Sequence, residues 1–108
     1  MTVNDLANDK EFVALALPDG DREINGAYAC DLLSWVMGRA KPDNVWITIM
    51  SNVNILAVAS LADTSCIVLA ESVTVDKEII DTAISKNINI LSTNMDIYKT
   101  SVYLSGLI

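Results

Sequence analysis

Short, nearly unbroken apolar runs alternate along this chain with longer segments that have helical spacing. The apolar runs cover residues 12–17, 45–50, 66–70 and 88–91, and they are rich in Val, Ile, Leu and Ala. Runs of this length bounded by turn residues predict buried strands. Between the second and third runs lies SNVNILAVASLAD, whose length and Ala content suit a helix. The pattern predicts a βαβ crossover with two parallel strands and a right-handed connection.

Four further segments predict helices. Thr2 and Asp5 resemble a capping box at the start of a short helix with Val3 and Leu6 inward. Apolar residues with helical spacing predict helices over 29–40 and 74–87, the second with Ile79, Ile80, Ala83 and Ile84 inward. Thr93 and Asp96 predict a capped final helix that carries Ile97, Tyr98, Val102 and Leu104. Residues 21–25 are interpreted as a short edge strand.

The helix between the two central strands has almost no polar face. A helix that is apolar all round must be covered on both sides, and the sheet covers one side. We predict that a second copy of the chain covers the other, in a homodimer whose interface includes Ile55 and Val58. Trp35 and Asp31 lie off the apolar stripe of the 29–40 helix and are assigned to the same interface. Trp35 has two other interpretations, packing flat over a loop or stacking on a ligand.

The composition supports one fold class. With 108 residues, 52% hydrophobic but only 6% aromatic, the chain builds one core from aliphatic side chains. That bias fits a mostly parallel sheet flanked by helices. The prediction is a single α/β domain over residues 1–108.

Charge and residue usage exclude several functions. Seven basic against fourteen acidic residues leave a net charge of −7 without a basic cluster, which disfavours nucleic acid and anionic membranes as partners. No apolar stretch is long enough to span a membrane and no signal peptide is evident, so a cytoplasmic location is expected. Histidine is absent, which removes the usual general base and the commonest metal ligand. We expect a protein that is not an enzyme and that needs no cofactor.

Sequence motifs of catalysis are also missing. There is no phosphate loop, no dinucleotide-binding glycine pattern, no nucleophile elbow and no cluster of metal ligands. Cys30 and Cys66 stand alone in apolar contexts and are interpreted as buried thiols in a reducing compartment.

Small polar residues follow three of the predicted strands. In a parallel sheet the strand ends lie at one edge, where ligands bind beside helix N-termini. The candidate ligand-binding residues are therefore Ser51, Asn52, Asn54, Glu71, Ser72, Ser92, Thr93 and Asn94. The alternative is that each is only a helix cap, since Ser, Thr and Asn are common caps.

The chain resembles the DRTGG domain family and, more distantly, the non-catalytic N-terminal domain of HPr serine kinase. The resemblance runs from about residue 13 to 104 and is carried by DLLSWVMGRA, VWITIMSNVNILAVASLAD and CIVLAES through DKEIIDTAISKNINILSTNMDIYKT. It places the family's Asp-Arg at Ser51-Asn52 and its Thr-Gly-Gly near Ala70-Glu71-Ser72, so this chain departs from the family's letters at both places.

The resemblance implies a regulatory or ligand-binding module, often dimeric. Relatives are fused to CBS domains or metabolic enzymes, and small single-domain forms are associated with iron-only hydrogenase systems. Kinase activity does not transfer, because the catalytic domain and its phosphate loop are missing. The leading hypothesis is a small nucleotide-like or anionic ligand at the strand ends. The alternative is an interaction module for dimerisation or for docking to a larger enzyme.

Overall fold

The computed structural model describes all 108 residues, from Met1 to Ile108. Five helices and five strands follow one another along the chain. In chain order they are α1 (Val3–Ala7), β1 (Val13–Ala16), β2 (Gly26–Ala29), α2 (Leu33–Arg39), β3 (Asn44–Thr48), α3 (Asn54–Ala62), β4 (Cys66–Leu69), α4 (Lys77–Ser85), β5 (Ile90–Ser92) and α5 (Ile97–Ser105).

The strands form one sheet in the order β1-β5-β4-β3-β2. Strands β2 to β5 run parallel, whereas β1 joins the edge antiparallel to β5 with a register irregularity between Ala14 and Ala16. In the centre, Val45 pairs with Cys66 and Thr48 with Leu69, with α3 connecting the two strands. The predicted parallel βαβ unit and the mostly parallel α/β fold are therefore confirmed.

Helices cover both faces of the sheet. On one face α2, α3 and α4 pack on a cluster that includes Trp46, Ile67 and Leu69, all fully buried. The other face carries α1 and α5 over a second cluster, which includes Val45 and Val68. Successive strand residues thus serve opposite faces, and both faces need apolar side chains. The aliphatic composition follows from this two-sided burial.

The first and the last helix begin with the N-terminal caps that the sequence predicts. Thr2 and Asp5 form a reciprocal capping box, and Val3 and Leu6 are fully buried. The Asp96 carboxylate accepts a hydrogen bond from the backbone N–H of Lys99 at 2.7 Å at the start of α5. Both helices therefore have their first free amides satisfied by side chains.

Helix α2 is shorter than its apolar spacing suggested. It begins at Leu33, while Ala29 ends the edge strand β2, so the edge strand lies at 26–29 instead of 21–25. The N–H of Cys30 donates to the carbonyl of Ile47, which extends the ladder past Ala29. Pairing with β3 decides the conformation of this segment, because helical spacing over one turn is a weaker constraint than a strand ladder.

The interface assigned to Ile55 and Val58 requires a correction. Their exposed fractions are 0% and 5%, and they lie in this chain's own core. The second cover of α3 within the chain is α2, which packs against it. Leu61 on α3 is 74% exposed, and Val53, just before the helix, is 57% exposed.

One inward prediction, that of Ile84, was wrong. Ile84 on α4 is 51% exposed, while Tyr98 and Val102 on α5 are 76% and 53% exposed. Each helix buries a narrower stripe than its apolar content suggested, and on α5 this stripe consists of Thr100 and Leu104. None of the helices combines the length and the apolar character needed to cross a bilayer.

Candidate functional site

The predicted strand-end residues lie at one edge of the sheet, because β3, β4 and β5 are parallel neighbours. Three segments follow these strands, namely residues 49–53 before α3, 70–76 before α4 and 93–96 before α5. The exposed members of the predicted set are Ser51, Asn52, Asn54, Glu71, Ser72 and Asn94. Thr93 is buried, and Ser92 is half-buried in β5. The candidate residues thus lie along one edge of the sheet, and six of the eight are exposed there.

Two of the three segments are joined by hydrogen bonds. The N–H groups of Glu71 and Ser72 donate to the carbonyls of Met95 and Thr93 at 2.8 and 3.0 Å. The Ser72 hydroxyl donates to the Asn94 side-chain oxygen at 2.8 Å. We call this group, Glu71, Ser72, Thr93, Asn94 and Met95, the ledge. It gives the carboxyl edge of the sheet a fixed shape beside β4 and β5.

The ledge holds its first two residues in an uncommon conformation. Glu71 and Ser72 have φ values of +60° and +59°, in the left-handed region that favours glycine. These are the positions at which the resemblance places the family's glycine pair. The backbone of this chain keeps a glycine-like path although the glycines are absent, and the two hydrogen bonds to the β5–α5 segment hold it there.

The segment before α3 presents free backbone donors. The Asn52 side chain accepts a hydrogen bond from the N–H of Asn54 at 2.9 Å in the turn that leads into the helix. The N–H groups of Ser51, Asn52 and Val53 have no acceptor within the chain. The first amides of α3 itself, those of Asn54, Ile55 and Leu56, already have acceptors within the chain, so the free donors belong to the segment that precedes the helix.

The cap alternative holds for only part of the predicted set. The Asn52 side chain bonds the N–H of the first residue of α3, and the buried Thr93 hydroxyl accepts from the N–H of Met95 at 3.3 Å in a local turn. Helix α4, however, is preceded by Asp76 and not by Glu71 or Ser72. The side chains of the ledge therefore do not cap the helix that follows them.

Asp31, which the sequence assigned to an interface, lies at this edge as well. Its carboxylate accepts from the Thr48 hydroxyl at 2.8 Å and from the N–H of Ile49 at 3.0 Å. It thereby ties the end of β2 to the start of the β3–α3 segment. The sequence signal for this role is the position of Asp31 just after an edge strand. The prediction of a helix over 29–40 concealed that signal.

The formal charges within the strand-end segments themselves are carboxylates. Asp31, Glu71, Asp76 and Asp96 lie in the strand-end segments, and no Lys or Arg occurs in residues 49–54, 70–76 or 92–96. The cations that follow these segments along the chain are Lys77 and Lys99, in the first turns of α4 and α5. The described residues contain no group of three or more acidic or thiol side chains arranged to hold a metal ion.

A polar cavity of about 180 Å³ lies at the opposite ends of the strands, where β4 and β5 begin. Arg22 dominates it, since its guanidinium donates to the Asp43 carboxylate at 3.0 Å and to the Asp63 carboxylate at 2.7 Å. Partial burial lowers the pKa of Arg22, but these hydrogen bonds outweigh it and the pKa is raised. Arg22 therefore stays charged and holds two loops together, so its role here is to stabilise the fold.

Neither cysteine has the setting of a reactive thiol. Burial raises the pKa of the Cys66 thiol to about 12, so it remains protonated at neutral pH. Cys30 is partly exposed, and its sulfur lies 3.9 Å from the carbonyl of Leu32. Both are free, and no base lies in hydrogen-bond contact with either.

The sequence profile of the DRTGG domain family matches residues 27–107, which is most of the chain. The chain belongs to the DRTGG domain family. The match begins in β2 and includes the ledge and every parallel strand, while α1 and β1 lie outside it. Among curated proteins, none matches the sequence at a significant level.

One solved structure similar to this DRTGG domain comprises the CBS and DRTGG domains of the regulatory region of the Clostridium perfringens pyrophosphatase, complexed with its activator diadenosine tetraphosphate. The TM-score is 0.71 at 16% identity, over 93% of this chain and 44% of that one. The likeness establishes a shared fold. This chain corresponds to less than half of that regulatory region.

Proposed function

We propose that this DRTGG domain is a non-catalytic regulatory module that binds a small nucleotide-like ligand at the carboxyl edge of its sheet. The observation that carries the proposal is the ledge, which fixes two loops through backbone hydrogen bonds and holds Glu71 and Ser72 in left-handed conformations. Strained backbone of this kind is concentrated at ligand sites and switch regions. The left-handed backbone lowers the stability of the folded state, and a role in shaping a ligand surface explains why the chain keeps it.

The neighbouring segment supplies complementary chemistry. The free N–H groups of Ser51, Asn52 and Val53 are suited to the phosphate oxygens of a nucleotide. The exposed Ser72 hydroxyl and Asn94 amide are suited to the hydrogen-bonding groups of a base or ribose. The similar pyrophosphatase region is complexed with a dinucleotide activator, which supports nucleotides as the first ligands to test.

Thermal unfolding with a panel of AMP, ADP, ATP and diadenosine tetraphosphate tests the proposal. A ligand present at a hundred times its dissociation constant stabilises the folded state by about 2.7 kcal/mol. For a domain of this size we expect a rise in Tm on the order of 10 °C. A flat response across the panel would contradict the proposal.

A matched pair of variants assigns the effect to the ledge. Ser72→Ala removes the hydroxyl that bonds Asn94, whereas Ser60→Ala removes an exposed hydroxyl at the opposite ends of the strands, beside Arg22. We expect Ser72→Ala to weaken nucleotide binding in calorimetric titration and Ser60→Ala to leave it unchanged. Equal affinities for the two variants would place the ligand elsewhere.

A second function, docking to a larger enzyme, is supported by the exposed part of α2. Trp35 is 48% exposed, the guanidinium of Arg39 lies 3.6 Å from its ring centroid, and Leu32 and Met37 are exposed beside it in sequence. An exposed Trp with an Arg over its ring is typical of interface anchors. Such docking predicts that Trp35→Ala abolishes co-purification of one enzyme while nucleotide binding is unchanged.

A further inference from the structure

The hydroxyl of Thr64 is the one buried polar side-chain group of this protein without a partner. Thr64 is 7% exposed, and its hydroxyl has no hydrogen-bond partner within the chain. The large majority of buried polar side-chain atoms are hydrogen-bonded, so an exception needs a partner from outside the chain. Thr64 lines the cavity of about 180 Å³ where β4 and β5 begin. A molecule bound in this cavity can supply the partner.

The same cavity contains cationic donors that the chain leaves free. The Nε and Nη2 nitrogens of Arg22 bind Asp43 and Asp63, whereas none of its hydrogen bonds uses Nη1. Lys86 also lines the cavity, and it forms no ion pair with a carboxylate of the chain. A carboxylate accepts charge-assisted hydrogen bonds from such groups. Two cations beside a free hydroxyl therefore suit the carboxylate group of a ligand.

The cavity also has groups that favour a positive charge. Helices α3 and α4 both end at it, and the carboxyl end of a helix carries partial negative charge. The Asp63 carboxylate binds Arg22 through Oδ1, and its Oδ2 accepts no hydrogen bond within the chain. Arg22 and Lys86 together balance Asp43 and Asp63, so these side chains have no net formal charge. A neutral site that contains both signs suits a neutral ligand that carries both.

We propose that this cavity binds a small zwitterion, a molecule with one carboxylate and one ammonium group, such as glycine. The carboxylate accepts from Arg22, Lys86 and the Thr64 hydroxyl, and the ammonium group lies beside Asp63 at the ends of α3 and α4. The net charge of −7 on the chain opposes a free anion but not a neutral zwitterion. A volume of about 180 Å³ is below the roughly 300 Å³ at which pockets for larger ligands begin. A nucleotide is therefore too large for this cavity, and the site is independent of the ledge.

Nuclear magnetic resonance titration of the wild-type chain with glycine, acetate and methylammonium tests the proposal. We expect glycine to shift the amides of Asp63, Thr64 and Asn87 with half-saturation on the order of 1 mM, the range open to so small a ligand. Acetate and methylammonium each carry one of the two charged groups and are expected to bind at least about tenfold more weakly. Affinity for either one equal to that for glycine overturns the proposal, as does the absence of glycine shifts at these amides up to about 100 mM. Nucleotide binding at the ledge is followed at other amides, so either site can fail alone.

Three variants connect glycine binding to the side chains of the cavity. Lys86→Gln removes the free cation and is expected to weaken binding at least about tenfold. Lys77→Gln makes the same change at the opposite end of α4 and is expected to leave the affinity unchanged. Thr64→Val replaces only the hydroxyl, so we expect weaker binding but a Tm in glycine-free buffer no lower than that of the wild type. Equal affinities for the two lysine variants overturn the proposal, and so does a Thr64→Val chain that binds glycine normally but has a lower Tm.

Discussion

Replacing Glu71 with glycine should stabilise the protein, although most glycine substitutions destabilise. Glu71 has a φ of +60°, and its N–H donates to the Met95 carbonyl at 2.8 Å, so the backbone path is fixed by a contact that glycine keeps. The left-handed conformation costs a residue with a Cβ about 1–2 kcal/mol. Glycine avoids this cost but loses about 0.5–1 kcal/mol of backbone entropy on folding. The net expectation is a gain of about 0.5–1 kcal/mol, or roughly 2–8 °C in Tm.

The matched control is Glu78→Gly, the same change at an exposed position in the first turn of α4. There the conformation is helical, and glycine costs about 1 kcal/mol. Urea unfolding followed by circular dichroism measures both variants on one scale. Opposite signs for Glu71→Gly and Glu78→Gly confirm the strain in the ledge. Destabilisation of similar size in both would refute the reasoning.

Three further predictions concern groups outside the ledge. In the native protein an aromatic disulfide reagent should label Cys30 but not Cys66, because burial raises the pKa of the Cys66 thiol to about 12. Denaturant should expose Cys66 to the reagent. Equal labelling of the two thiols in the native protein would contradict the burial of Cys66. Hydrogen bonding to Asp9 raises the pKa of Tyr103 above its ordinary 10.0. The hydrogen bond therefore stabilises the folded state below pH 10, and this stabilisation is lost as the pH rises through the folded-state pKa of Tyr103. The Tm difference between the wild type and Tyr103→Phe should therefore shrink in strong alkali, and a constant difference would argue against the linkage. Asn89, 2% exposed, makes three hydrogen bonds to backbone groups of the β1–β2 and α3–β4 connections. Asn89→Ala should cost about 2–4 kcal/mol in urea unfolding because buried groups lose their partners, and a cost below about 1 kcal/mol would contradict this.

The sequence predicted those parts of the fold in which local pattern and tertiary pairing agree. The apolar runs around Trp46 and Val68 are strands because both faces of the sheet are covered, and their parallel pairing follows from the helix between them. The capping box at Thr2 and the cap at Asp96 depend on residues three positions away. Such short-range features can be read without coordinates.

Other features depended on contacts that are distant in sequence. Ala29 has helical spacing to the residues after it, but the ladder to Ile47 places it in a strand. Asp31 is a loop anchor only because Thr48 ends the neighbouring strand. The left-handed turn at Glu71 contains no glycine that would have indicated it in the sequence. Hydrogen bonds to residues more than 20 positions away hold this turn in place. For the same reason the sequence predicted that the candidate residues lie at one edge of the sheet but not the backbone conformation they adopt there.

The most direct test of the ligand site is a nuclear magnetic resonance titration of the isotope-labelled chain with ADP and with diadenosine tetraphosphate. The account predicts amide shift changes concentrated at Ser51–Val53 and at the ledge. It predicts little change around Arg22, which lies at the opposite ends of the strands. Changes centred on the Arg22 cavity, or no changes up to millimolar nucleotide, would contradict it.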